Sequence, residues 1–529
     1  MDLIFDRVSY LPTENITGIA PQAGVISVSQ LGVEISDFTC DRNFDLGIFP
    51  QGAYSITWHG DAEIAVTSAF EVLDNPWDRL RYGFVAEFSD SVSTQSYLSW
   101  AKKLHLTAIQ FYDWAWRHEF LTTDKLHYGD PLGQDISTEK IKELISGYRE
   151  IGSTPSGYAA IYAVDAEGWE RWKEAGLFDI AGNPYLLGDN FLWILDPANP
   201  RWLAHLISQL QKAHEFGFSA FHLDQYGWPK NALKSDGSAV DLAQRFPEML
   251  NEIVKALPDC KHIFNNVNDF PTWSTTQTGQ HATYIEVWDP HSTYGHLADL
   301  VSKARELNST KPVILSAYLH AFGAIKTATD EAEAVAAFEL TFASIVSGGA
   351  SHLITGGDGR VLHHAYYVTN YLAPESTLHI FQNYFDFVVA SGDLLYDPSR
   401  VDVTLTNAFG VNNEIKFICD APVSPEATPG TLWVRAYAGE TGLTLHIINL
   451  LDQEDSLWDQ PKRVISTEAR LTISIEAGGF SDQASIGHTA RGATFSLEPM
   501  EILGNRLQLS LEISSAWTIV NIPLKKEKN

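Results

Sequence analysis

Cysteine is nearly missing from this chain. Cys40, Cys260 and Cys419 lie far apart in 529 residues, with no Cys-x-x-Cys pair, so no disulfide framework is expected. Basic residues are also scarce. Against 66 Asp and Glu there are 36 Lys and Arg, and the net charge of −30 argues against nucleic acid or an anionic membrane as a partner. No apolar run is long enough to cross a bilayer. Met1 to Arg7 has no basic n-region, and acids interrupt its apolar residues, so it does not read as a signal peptide. The expected compartment is the cytoplasm, or the outside of the cell had a leader been trimmed. Internal repeats and low-complexity segments are absent as well.

Aromatic residues, by contrast, are plentiful. They make up 12% of the chain, with 15 Trp and 20 Tyr, which suits a protein that grips flat, polar-edged ligands or fills large cores with indole. Hydrophobic residues at 45% and charged residues at 19% are those of a folded protein, and the length calls for two to four domains.

Residues 1–80 read as short strands punctuated by Pro12, Pro21, Gly24, Pro50 and Gly52, with β-rich runs at Val25–Val28 and Ile64–Thr67. An N-terminal β-sandwich is expected there. From Arg81 the texture changes to apolar runs alternating with amphipathic segments, the mark of a parallel sheet. The runs are Tyr82–Phe88, Ala108–Trp114, Gly157–Ala163, Ala220–Gln225, His262–Val267, Tyr284–Trp288, Pro312–Tyr318 and Ser351–Thr355. Helices are expected at Thr138–Ile151, Pro200–Phe216, Val240–Ala256 and Asp330–Val346. Eight such units predict a (β/α)8 TIM barrel over 81–390. The long connection between the third and fourth runs contains Phe191 to Pro197 and is expected to form an extra hairpin. Beyond residue 390 the helical period fades. Ile415–Cys419, Thr431–Ala438, Leu443–Leu450, Arg470–Ile475 and Leu507–Ile513 predict a C-terminal β-sandwich over 391–529. The tail from Leu524 to Asn529 is basic and expected to fray.

Chemistry-bearing residues collect where these strands end. The fourth run passes through His222 to Asp224, then Gln225 and Trp228. The second ends in Tyr112, Asp113, Trp114, Trp116 and His118. The fifth holds Asn265 and Asn268, the sixth Tyr284, Glu286 and Trp288, the seventh Tyr318, and the eighth runs on to Asp358. In an α/β barrel the strand C-termini build the active-site face, so several such endings together point to a site. Glycoside hydrolysis needs two carboxylates across one bond, and Asp224 and Glu286 end strands two apart. Glu286 sits between Ile285 and Val287, an apolar setting that raises its pKa as a proton donor requires. His222 and Gln225 are candidate donors that would keep Asp224 ionised. Asp224 as a helix cap and Glu286 as a buried salt-bridge partner are the bland alternatives. The histidines show no metal-ligand spacing, so neither a metal nor a cofactor is expected. Gly356 to Gly359 lacks a Walker lysine and reads as a loop. A sugar-binding barrel without activity would keep the aromatics and need neither acid.

At these residues the chain resembles glycoside hydrolase family 66, the dextranases and cycloisomaltooligosaccharide glucanotransferases. The similar stretches are Arg81–Val85, Gln110–His118, Gly217–Gly227, Phe264–Asn268, Tyr284–Trp288 and Leu315–Tyr318. The resemblance implies a β-sandwich, a (β/α)8 barrel and a second β-sandwich. It implies a retaining mechanism on α-1,6-linked glucan, dextran or isomaltooligosaccharides, with Asp224 as nucleophile, Glu286 as acid/base and Asp113 as a further required aspartate. Cyclising members carry a carbohydrate-binding insert for which this chain has no room, which favours hydrolysis over transfer. Ile354 and Ala365 stand where the family is richer in acids, and Asp269 stands where glycine is usual.

Overall fold

The computed structural model describes residues 3–60 and 65–525. Ile64, the start of one expected strand, and residues 526–529 of the tail lie outside the described residues. The chain is multidomain and rich in strands, and one large sheet dominates its middle. Its parallel members are β1 (Tyr82–Val85), β2 (Ala108–Phe111), β3 (Thr154–Ala160), β4 (Ala220–Asp224), β5 (Lys261–Val267), β6 (Ala282–Glu286), β7 (Val313–Ser316), β8 (Ser351–His352) and β9 (Thr355–Gly356). Neighbours in sequence pair in parallel from β1 to β8. β9 leaves β7 behind and pairs with β1, so the sheet is curled and its last crossing returns to its first. Two antiparallel strands, Arg360–Leu362 and Asn370–Leu372, extend it to eleven. β2 and β7 are buried at every position, as expected of strands covered on both faces.

Helices alternate with these strands: α1 (Thr94–Lys103), α2 (Thr138–Glu150), α3 (Pro200–Phe216), α4 (Leu242–Ala256), α5 (Tyr294–Leu307) and α6 (Ala328–Val346). α3 shows why the sequence folds as it does. Asn199 caps it by accepting from the amides of Arg201 and Trp202, and Pro200 fills the first turn, where no amide donor is needed. Trp202, Leu203, Leu206, Leu210 and Ala213 recur at helical spacing and are buried. Gly217 ends the helix at φ 141°, a conformation few other residues tolerate, and turns the chain into β4. A Leu206→Ala change would cost about 2–5 kcal/mol by opening a cavity in the core this helix packs on.

β3 begins at Thr154 and ends at Ala160, three residues earlier than its apolar run suggests. The end of that run, Ala163, continues with Val164 into a strand that pairs with Leu192–Ile194, which also pairs with Leu186–Leu187. One apolar stretch therefore serves two sheets. The hairpin expected after Phe191 is present as part of this three-stranded unit.

Residues before β1 form a four-stranded antiparallel sheet (Val33–Cys40, Gly24–Gln30, Gly52–His59, Ala65–Val72) and a three-stranded one, around their own apolar cluster. Residues beyond about 400 form a seven-stranded and a four-stranded sheet around another. All five C-terminal strands read from the sequence are present, and Gln483–His488, Phe495–Pro499 and Trp517–Ile522 join them. At the N-terminal junction Arg81 spans two units. Its guanidinium meets the Glu71 carboxylate and donates to the carbonyls of His105 at 2.6 Å and Arg79 at 3.0 Å.

Candidate active site

Side chains two apart along a strand share a face. That alternation builds a cleft at the C-terminal ends of the parallel strands. It is lined by Gln110 and Tyr112 from β2 and beyond, Tyr158 of β3, His222 and Asp224 of β4, Asn265 and Val267 of β5, Tyr284 and Glu286 of β6, and Tyr318 beyond β7. The cleft holds about 410 Å³, within the range of small-ligand sites.

Asp224 and Glu286 meet across a single side chain. Asn265 Nδ2 donates to Asp224 Oδ1 at 2.7 Å and to Glu286 Oε2 at 2.9 Å. The two acceptor oxygens are therefore closer than those two lengths laid end to end. That is the regime of retaining glycosidases, about 5–5.5 Å, and short of the about 6.5–9.5 Å of inverting ones. Tyr158 donates to Asp224 Oδ2 at 2.6 Å, and Tyr318 to Glu286 Oε1 at 2.9 Å. The parallel register that sets Tyr158 beside His222 carries the tyrosine to within reach of the carboxyl.

No lysine or arginine lines the cleft among the described residues. Burial raises the pKa of Asp224, and the hydrogen bonds from Tyr158 and Asn265 partly offset it. Burial raises Glu286 too, and the Asp224 charge pushes in the same direction with the Asn265 and Tyr318 bonds opposing. Two acids this close do not ionise independently, so the pair holds on to one proton more readily than an ordinary carboxyl does. Asp113 is pushed up to about 8, first by burial and then by the charges of Asp130 and Asp224. Its backbone sits at φ 49°, a strained region that Asp tolerates better than most residues.

Of the residues expected to bind substrate, Tyr112, Asp113, His118, His222, Gln225, Asn265, Tyr284, Trp288 and Tyr318 line the cleft. Five do not. Trp114 lies beneath it, 1% exposed, with its indole donating to the Tyr158 carbonyl at 3.1 Å and its ring against Phe218. Trp116 is covered by Arg117 and Lys125. Trp228 packs edge-on against Tyr185. Asn268 holds the Trp288 loop, donating to the Asp289 carbonyl at 2.7 Å and accepting from the Trp288 amide. Asp358 pairs with Arg360 at 3.5 Å. Of the donors expected for Asp224, His222 turns elsewhere, and Gln225 reaches it through its backbone N–H while its side chain turns away. His222 Nδ1 lies 3.2 Å from the Tyr82 hydroxyl, and burial lowers its pKa to about 3, so it is neutral. The Gln225 amide donates to the carbonyls of Asn265 and Phe270.

Tyr158, Tyr226, Tyr366 and Tyr367 also line the cleft and were missed. Period-two counting back from the end of β3 would have found Tyr158. Tyr366 and Tyr367 lie in the connection between the two antiparallel strands of the extension and carry no sequence signal of their own. Tyr367 stacks on Tyr112 with ring centroids 4.4 Å apart. Ala365 faces the cleft, so that departure from the family falls inside the site, whereas Ile354 is buried in the core. Asp269 adopts φ 66°, the left-handed conformation for which glycine is usual, and pairs with Lys303.

The sequence model of Glycosyl hydrolase family 66 matches residues 52–475. Two curated relatives from Niallia circulans, each described as cycloisomaltooligosaccharide glucanotransferase, are 24% identical over 269 residues and 28% identical over 272. Each match covers 45% of this chain and 28% of the relative, so less than a third of either relative's length is matched. A crystal structure of a Paenibacillus sp. cycloisomaltooligosaccharide glucanotransferase complexed with cycloisomaltoheptaose superposes with a TM-score of 0.87. It covers 98% of this chain and 99% of that one at 17% identity, a likeness of fold.

Proposed function

The chain belongs to glycosyl hydrolase family 66, and from that premise we propose that it breaks α-1,6-glucosidic bonds by a retaining double displacement and passes the glycosyl group to a sugar hydroxyl. The observation that carries this reading is the Asn265 amide within hydrogen-bond reach of both carboxyls, which holds them at retaining separation. An Asp224 oxygen attacks the anomeric carbon. The bond between that carbon and the oxygen of the leaving sugar breaks, and Glu286 gives the leaving oxygen its proton. In the second step Glu286 takes the proton of the incoming hydroxyl, whose oxygen bonds to the anomeric carbon as the Asp224 ester breaks. Asp113, Tyr112 and Trp288 would hold the sugar at the cleft. The curled sheet is read as a (β/α)8 barrel over 81–390, with β-sandwiches at 1–80 and 391–529. Arg81 at the first junction supports the earlier boundary.

Transfer is placed before hydrolysis because the named relatives are glucanotransferases. The preference for hydrolysis drawn from the missing insert has less support. Water in place of the acceptor hydroxyl gives hydrolysis with the same acids. Incubation with dextran, isomaltotetraose and a cyclic isomaltooligosaccharide, followed by chromatography, separates the two. Longer or cyclic products are expected. Shorter products alone would make the enzyme a dextranase-like hydrolase, and no turnover of any of the three would overturn the reading.

A further inference from the structure

We propose that Asn265 is a positioning residue that ties the two acids together and stabilises the negative charge on whichever of them holds it. The inference rests on the reading of Asp224 and Glu286 given above. An amide nitrogen has two hydrogens, and here each has its own acceptor, one on each acid. The amide oxygen, Oδ1, is buried and has no hydrogen-bond partner. Turning the amide over would set that oxygen against two carboxyl oxygens and leave the nitrogen unpaired, so its orientation follows from its neighbours. A buried unpartnered acceptor is costly, and two donations to acids offset that cost. Asn265 is therefore not a contact for substrate hydroxyls through its oxygen, which faces away from them. Its own carbonyl is held by the Gln225 amide at 3.0 Å, and β5 lies between the strands that carry the two acids.

This arrangement has two chemical consequences. Glu286 Oε2 accepts from the Asn265 amide and Oε1 from the Tyr318 hydroxyl, so both oxygens of the carboxyl are held in place toward the cleft. In the first displacement the negative charge leaves Asp224, which becomes an ester, and appears on Glu286, which loses its proton. One amide group already donates to both places, so neither end waits for dipoles to reorganise. The other titratable groups facing Asp224 are Tyr158, Tyr112, Tyr226, Tyr162 and Asp113. Those facing Glu286 are Tyr284, Tyr318 and Tyr367. Only the Asn265 side chain donates to both acids among the described residues.

The test is a carbon-13 NMR titration of the side-chain carboxyls in the full chain, with signals assigned through D224N and E286Q. Donation to a charged form lowers a carboxyl pKa, so in N265A both titrations should move to higher pH. N265D, which keeps the shape and loses the hydrogens, should move them further by adding a third acid. On isomaltotetraose, N265A should lose at least about tenfold in kcat with little change in KM, and both limbs of its pH profile should shift upward. Carboxyl titrations unchanged in N265A and N265D would overturn the proposal, as would a pH profile that is scaled down without moving. The titration does not depend on turnover. A parent enzyme inactive on α-1,6-linked substrates would sink the reading of function, while the NMR would still judge Asn265.

Discussion

Glu71 at the junction before β1 and the pair of acids in the cleft are built in opposite ways. Glu71, fully buried, is met by the Arg81 guanidinium, with Arg79 at 3.8 Å. Asp224 and Glu286, in the cleft, face hydroxyls, an amide and a third acid, with no cation lining the site among the described residues. The first group is compensated and ties two units together. The second is left uncompensated, which raises its pKa values and keeps one proton available for transfer. The buried acid with a guanidinium partner joins two units of the fold. Under the proposed function the cleft acids, with neutral donors only, carry the proton and bond chemistry.

The largest expected effect breaks the comparison on the cleft side. D224N and E286Q should each lower turnover of isomaltotetraose by about a thousandfold or more while leaving the circular dichroism spectrum unchanged. Near-parental rates in either variant would defeat the assignment of the pair. On the junction side the loss should appear in stability instead. Glu71→Gln leaves Arg81 without its charge partner and should cost about 3–5 kcal/mol in urea unfolding, with the activity of the folded fraction retained. Tyr158→Phe removes the 2.6 Å bond to Asp224. A hydrogen bond to a charged group is worth about 1.5–3 kcal/mol, so kcat should fall by about ten- to a hundredfold. Because that bond lowers the Asp224 pKa, the acid limb of kcat/KM should move to higher pH.

Asp113 sharpens the contrast through pH. Its folded pKa, near 8, lies above that of an ordinary carboxylate. The folded state therefore binds its proton more tightly, and the stability this contributes is present at about pH 4 and lost as pH rises through 8. D113N should melt with the parent near pH 4 and progressively above it up to pH 8, as scanning calorimetry would record. The smallest effect is expected at Asp358, which pairs with Arg360 outside the cleft. D358N should change kcat/KM by less than about twofold, as surface changes away from a site usually do.

The two acids were legible because each ends an apolar run, and a curled parallel sheet gathers such ends at one rim. The bounds of α3 were legible to the residue, since Asn199, Pro200 and Gly217 mark both its ends. Tyr158 was missed because the apolar stretch that contains it continues into a second sheet, which hid where β3 stops. Trp114 looked like a sugar platform beside Asp113, but the left-handed turn at Asp113 sends the indole under the strand. The meeting of Asn265 with both acids lies between strands, and no pattern along one strand records it. The strand Gln483–His488 went unread because only Ala484 and Ile486 among its six residues are apolar, too few for a strand signal.

The most direct test of the central claim is to trap the bond that Asp224 is said to form. E286Q treated with α-isomaltosyl fluoride, which leaves without a proton donor, should accumulate a glycosyl-enzyme because no base activates the acceptor. Acid quenching and peptide mass mapping should then place one added isomaltosyl group on Asp224. An adduct on another residue, or donor consumption with the Asp224 peptide unmodified, would contradict the account.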